Sequence, residues 1–299
     1  VTSVFRITAV QAPAREPGVD LAIFAADVGE QLVLEPATQM LVYPELHLFY
    51  ASATDPQLKT EQLRAAAITL DGDEVAALRS IARENGIWLL PGSVVERSST
   101  VDIFNTAIVI NPSGDLVASY RKMFPWRPYE PFAAGTDFTV FDIDDVGRFG
   151  LSICYDSWFP EVSRSLAWMG ADIVINLVMT TTPDRAQELV LARANSIVNQ
   201  TFTVCVNTAG PVGVGDSLIV GPEGEVLTEL TGAGAGRLTL DFSKERVEFV
   251  RENGTASSNR MWDQFLPADE PLALPIYQGR IDPRTWKPKS HTQHKGENA

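Results

Sequence analysis

The sequence predicts one α/β domain in which two β-sheets pack face to face with helices outside. Three observations carry this expectation. Apolar strand-like runs alternate with amphipathic helical segments along most of the 299 residues. No Gly/Ser-rich or Pro-rich linker separates them before the C-terminal stretch. Hairpin turn signatures lie among the βα units, and that mixture suits a pair of packed sheets better than one parallel sheet.

The elements follow in chain order. Residues 5–10 are a strand-like apolar run, and the amphipathic pattern over 20–34 predicts the first helix. Residues 40–43, Met-Leu-Val-Tyr, read as a buried strand. A helix over 73–84 runs on into the strand 88–91. Strands at 106–110 and 116–120 flank Asn111-Pro112-Ser113-Gly114, which makes them a β-hairpin. The strand 149–153 passes through a short turn to Pro160, which opens the helix 160–169 because the first helical residue needs no N–H donor. That helix leads to the strand 173–177, and the helix 184–199 leads to the strand 202–207. A strand at 217–220 enters a second hairpin turn, Gly221-Pro222-Glu223-Gly224-Glu225.

Near residue 251 the chain becomes rich in Asn, Gly, Pro and Ser, yet it keeps Met261, Trp262, Phe265, Leu272, Leu274, Ile276 and Tyr277. We therefore expect a domain over 1–250 and an extension over 251–299 that packs on the domain or on a neighbouring subunit. Past Arg280 the basic residues Arg284, Lys287, Lys289 and Lys295 prevail, as in a solvated tail that is disordered at its end.

With 45% hydrophobic and 21% charged residues the chain is neither collagen-like, nor disordered, nor a disulfide scaffold. Its two cysteines, Cys154 and Cys205, belong to no zinc or redox spacing, and a reduced setting is expected. Of three histidines, His47, His291 and His294, two lie in the polar tail, so a multi-histidine metal site is not expected, and the reaction implied below gives no metal or organic cofactor a role. A net charge of -14 repels phosphate backbones and anionic lipids, which argues against nucleic-acid and membrane partners. No run reaches the roughly 18 apolar residues of a membrane span, residues 1–12 lack the features of a signal peptide, and a cytoplasmic location is expected.

The strongest local signal is Gly150-Leu-Ser-Ile-Cys154-Tyr-Asp-Ser-Trp-Phe-Pro-Glu161. A strand that ends at Cys154, followed by a tight turn and a helix start, presents a thiol at the mouth of a sheet with backbone N–H groups beside it. Such a thiol can attack a carbonyl while the N–H groups hold the oxyanion. A buried structural cysteine is the alternative reading, and Cys205, inside an apolar strand, fits it. With histidine scarce, the base must come from elsewhere. Glu45 stands directly after the buried strand 40–43, where burial raises a carboxylate's pKa and suits it to proton transfer. Lys122 likewise follows a strand, in Tyr120-Arg121-Lys122.

Together, Pro44-Glu45, Tyr120-Arg121-Lys122 and the segment from Ile153 to Glu161 resemble, in order, the nitrilase or carbon-nitrogen hydrolase superfamily, over roughly residues 4 to 245. The resemblance implies a four-layer αββα sandwich and a Glu45, Lys122, Cys154 triad. It also implies a second glutamate between the lysine and the cysteine. Glu130 matches, because the segment from Lys122 to Gly135 is similar to KxxPWxPxEGWxPG of the aliphatic amidase and formamidase branch, with Ala134 in place of the last proline. Glu161 is the other candidate for this role.

Cys154-Tyr155-Asp156 is similar to the amidase-type branches, whereas true nitrilases typically carry Cys-Trp-Glu. The implied reaction is hydrolysis of a small to medium, mainly uncharged amide to acid and ammonia through a thioester. N-carbamoyl cleavage, acyl transfer from the same thioester and nitrile hydrolysis are the alternatives. Candidate substrate-binding residues are Tyr155, Trp126, Trp158, Met179 and Thr180, with Tyr129 and Phe132 nearby; Trp158 has the best claim, since it sits in the nucleophile turn. Family members commonly pair through the helices expected at 160–169 and 184–199, so a homodimer or larger homo-oligomer is expected, with Trp168 and Met169 as candidate interface residues.

Overall fold

A computed structural model describes residues 4–98, 101–275, 278–281 and 284. β1 (Phe5–Gln11) leads to α1 (Leu21–Leu34), which Asp20 caps by accepting from the Ala22 N–H. β2 (Met40–Val42) precedes α2 (Pro56–Ala66) and α3 (Asp73–Asn85), and Gly86, in the left-handed region, closes α3. β3 (Trp88–Leu90), β4 (Ser93–Arg97), β5 (Ile103–Ile110) and β6 (Leu116–Arg121) follow. β7 (Val140–Ile143) and β8 (Gly147–Ile153) form a hairpin, and a 3-10 turn joins β8 to α4 (Pro160–Trp168). β9 (Ile173–Val178), α5 (Arg185–Asn199) and β10 (Phe202–Asn207) build a βαβ unit. β11 (Leu218–Val220), β12 (Val226–Glu229), β13 (Gly236–Phe242) and α6 (Lys244–Asn253) come next.

Among the described residues one sheet has the order β13-β1-β2-β3-β5-β4, with β6 on β5, and the other β12-β11-β10-β9-β8-β7. β1 to β3 run parallel, as do β8 to β10. The period of two explains the layers. On β9, Ile173, Ile175 and Leu177 join Ile7, Met40 and Val42 in the core between the sheets, while Val174 packs under α4 and Val178 under α5. On the other outer face Leu41, Tyr43 and Leu89 meet Phe24 and Val28 of α1 and Leu78 and Ile81 of α3. The result is the expected αββα sandwich. No helix among the described residues is long and apolar enough to cross a membrane.

Helix α6 spans residue 250, so the expected boundary falls inside a helix. The start of the extension folds back on its own chain: Trp262 is buried, with its ring 6.1 Å from that of Trp168 and the Arg164 guanidinium 5.0 Å from its centroid. Beyond it, Leu272–Leu274 pairs with Gly279–Ile281. The calls on Ile276, Tyr277, Lys287, Lys289, Lys295, His291 and His294 lie outside the described residues.

Candidate active site

Parallel strands expose their C-terminal ends along one edge, and such an edge gathers functional loops. Glu45 follows β2, Lys122 follows β6, Cys154 follows β8 and Thr180 follows β9. Two glycines let the backbone close on these positions. A Cβ on Gly92, whose φ is +96°, would lie 2.1 Å from the Pro44 carbonyl oxygen beside Glu45, and one on Gly135 would lie 2.2 Å from that of Arg121. Gly135 in turn donates its N–H to the Lys122 carbonyl at 2.8 Å, which closes the loop that carries Glu130.

Lys122 is wholly buried, and its Nζ lies 2.9 Å from Glu45 Oε1 and 2.9 Å from both oxygens of Glu130. Burial alone would favour loss of its proton, but the two carboxylates outweigh burial and hold the ammonium's pKa well above its usual value. Glu45 is equally enclosed. Its Oε1 also accepts from Asn105 Nδ2 at 2.7 Å and its Oε2 from the Met179 N–H at 2.8 Å. Burial nonetheless raises its pKa, against the pull of Lys122. Glu130 keeps partial contact with solvent and accepts from the Trp126 N–H at 2.9 Å.

Cys154 adopts φ +47°, a left-handed conformation that a side chain other than glycine's rarely takes and that lifts the thiol out of the line of β8. The turn is pinned by Asp156, which accepts from the Ile153 N–H at 3.0 Å, the Phe124 N–H at 2.9 Å and the Tyr120 hydroxyl at 2.8 Å. Burial pushes the Cys154 thiol well above its ordinary pKa, Glu45 pushes the same way, and Lys122 pulls back. Burial and Glu45 thus both favour the protonated thiol. Its sulfur lies 3.8 Å from Thr180 Oγ1, which donates to Glu188, itself paired with Arg185 at 2.9 Å.

Cys154, Glu130, Trp126, Tyr155, Met179 and Thr180 line one pocket, along with Thr181, Thr182, Asp184 and Glu188. The other aromatic candidates lie elsewhere. Trp158 is not among the lining residues; its ring sits 6.0 Å from that of Tyr155 in the turn. Phe132 is buried in the outer core cluster of the first sheet, and Tyr129 is exposed, its ring tilted against Trp126. Cys205 is buried, and burial raises its pKa despite the nearby Arg185. Asn105, Arg185 and Glu188 escaped the sequence reading. Glu188 and Arg185 stand three apart on one helix, a common ion-pair spacing that carries no functional signal by itself.

Residues 6–252 match the family described as Carbon-nitrogen hydrolase. The formamidase of Pseudomonas syringae pv. tomato is 31% identical over 224 residues, which are 73% of this chain and 62% of that protein. The chain therefore spans less than two thirds of that relative's length. Nit3 of Saccharomyces cerevisiae, a member of branch 10 of the nitrilase superfamily, superposes with a TM-score of 0.74 at 25% identity, over 86% of this chain and 96% of that one. An amidase from Nesterenkonia sp. gives a TM-score of 0.68 at 28% identity, over 83% and 94%. That amidase has been solved as a cysteine-to-alanine variant in complex with butyramide, and as a glutamate-to-glutamine variant with the acetamide moiety of fluoroacetamide added covalently to its active-site cysteine.

Proposed function

The chain belongs to the carbon-nitrogen hydrolase family, and from that premise we propose that it hydrolyses a small, mainly uncharged carboxylic acid amide to the acid and ammonia through a thioester on Cys154. The observation that carries this reading is the buried Lys122 ammonium held at 2.9 Å by both Glu45 and Glu130, at the edge where Cys154 opens into a pocket. A fixed cation with a carboxylate whose pKa is raised supplies both charge stabilisation and a proton carrier.

In this scheme Cys154 attacks the amide carbon as Glu45 takes the thiol proton. Lys122 and the Tyr155 N–H stabilise the tetrahedral oxyanion, and Glu45 returns the proton to the departing nitrogen. Water, activated by the same carboxylate, then attacks the thioester and releases the acid. Glu130 orients Lys122 and the substrate amide; a displacement of about 1 Å at the reacting carbon costs on the order of a hundredfold in rate. The pocket is narrow, about 40 Å³, which favours acyl groups of a few heavy atoms.

Ammonia release from formamide, acetamide, propionamide and butyramide tests the reading. We expect turnover that Cys154→Ala abolishes and Cys205→Ala changes no more than a few-fold. Mass spectrometry of a quenched reaction should show the acyl group on Cys154. Silence on every amide, or equal losses in the two variants, overturns it.

A further inference from the structure

We infer that Thr180 and Glu188 form a thiol-holding relay that keeps Cys154 protonated until Glu45 takes its proton during attack. The argument is a count of protons and lone pairs. Thr180 Oγ1 lies 2.9 and 2.7 Å from the two Glu188 oxygens and 3.8 Å from Cys154 Sγ. A hydroxyl has one proton, and a carboxylate only accepts. That proton therefore goes to Glu188, leaving Thr180 with only lone pairs to offer the sulfur.

The arrangement cannot easily rotate away. Glu188 Oε2 accepts from Arg185 Nη1 at 2.9 Å, and Arg185 Nη2 is anchored on the Asp216 carbonyl at 2.9 Å. The Thr180 N–H donates to Asn207 Oδ1 at 2.8 Å, and Asn207 Nδ2 donates to the Gly215 carbonyl at 2.7 Å. Thr180, Arg185 and Glu188 are all buried, so water competes weakly for these bonds.

An acceptor facing the sulfur binds S–H and repels S⁻. The charged groups that act most on the thiol are Glu45 after β2, Lys122 after β6, Glu130 in the next loop and Glu188 on α5, with Asp184 also lining the pocket and Asp156 in the turn; of the first four, Lys122 alone favours the thiolate. The attack relieves the conflict, because the Sγ–C bond forms as the S–H proton passes to a Glu45 oxygen and the carbonyl π pair moves to its oxygen. The resulting thioester sulfur carries no charge. Thr180, expected from the sequence to bind substrate, thereby acts on the nucleophile, and Glu188 is a positioning residue behind it. The relay's part in turnover rests on the amidase reading above, while its effect on the thiol does not.

The test is the pH dependence of Cys154 alkylation by iodoacetamide, read by peptide mass with no substrate present. Because the thiolate is the reactive form, Thr180→Val and Glu188→Gln should alkylate about tenfold faster than wild type near pH 7, with midpoints about one unit lower. Thr180→Ser, which keeps the hydroxyl, should restore the wild-type profile. Should Glu188→Gln fail to fold, Thr180→Val carries the test, since it leaves the Arg185–Glu188 pair in place. A folded Thr180→Val whose midpoint coincides with wild type overturns the relay. A shifted midpoint in a protein that hydrolyses no amide would instead uphold the relay and sink the amidase reading.

Discussion

His47 shows how strongly burial decides the chemistry of a single residue. Its ring stacks 4.8 Å from Tyr43 and lies tilted 5.8 Å from Phe24, and neither ring nitrogen meets a hydrogen-bond partner among the described residues. Burial, helped by the charge of Arg15, lowers its pKa to about 3. The folded chain therefore keeps it neutral where the unfolded chain takes up a proton. Its contribution to stability is fully present above about pH 6.5 and is lost as pH falls toward 3, by about 1.4 kcal/mol per pH unit. We expect His47→Phe to lose less stability than wild type between pH 7 and pH 4.5, by about 2–3 kcal/mol, in urea melts at the two pH values. Equal acid losses would contradict this account. The same burial removes His47 as a partner for Cys154, in keeping with the proposal that Glu45 is the proton carrier.

At the scale of elements, the turn that carries Cys154 is tied to the opposite sheet. Asp156 belongs to the turn after β8, whereas Tyr120 and Phe124 flank Lys122 on the other side of the core. One buried carboxylate thus fixes the distance between the elements that carry Cys154 and Lys122. Helix α4 adds a second constraint, because it crosses β8 so closely that a Cβ on Gly150 would lie 3.1 Å from Leu166 Cδ1. Asp156→Asn turns one of two acceptor oxygens into a donor that faces other donors. We predict a loss of about 1–3 kcal/mol in stability, together with a drop in amide turnover exceeding that of Tyr120→Phe, which removes a single bond. Urea melts and ammonia assays on both variants measure this; turnover intact in Asp156→Asn would show that the tie is not needed.

For the whole molecule the informative surface is the outer face of α5. Val190, Ile197 and Val198 are 65%, 46% and 44% exposed there, an apolar stripe at helical spacing beside the layer that backs the pocket. Trp168 is already engaged by Trp262 of the same chain, so α5 rather than that tryptophan is the better seat for a second copy. We expect light scattering at micromolar concentration to give the mass of a dimer or larger assembly. Val190→Glu combined with Val198→Glu should reduce it to one chain without lowering the melting temperature by more than a few degrees. A single-chain mass for the wild type would refute the association.

The sequence by itself determined the layers and singled out the candidate residues. Alternating apolar runs decide which face of a strand is buried, and Glu45, Lys122 and Cys154 each stand where a strand ends, so local pattern and motif point to the same positions. Glu130 was legible through resemblance alone, because nothing in its own loop marks it apart from solvated glutamates. Tertiary structure decided what touches what. β13 closes the first sheet by pairing with β1, Phe5 opposite Phe242, a contact that no local period announces. Trp158 lies in the stronger motif and has the better claim from sequence, yet of the two tryptophans it is Trp126 that lines the pocket. Thr180 reaches the thiol, and Glu188 reaches Thr180, because β8 and β9 are in register and α5 returns over them. Side-chain partnership across distant elements depends on sheet register and helix placement, and those are set by packing of the whole core rather than by any short stretch of chain.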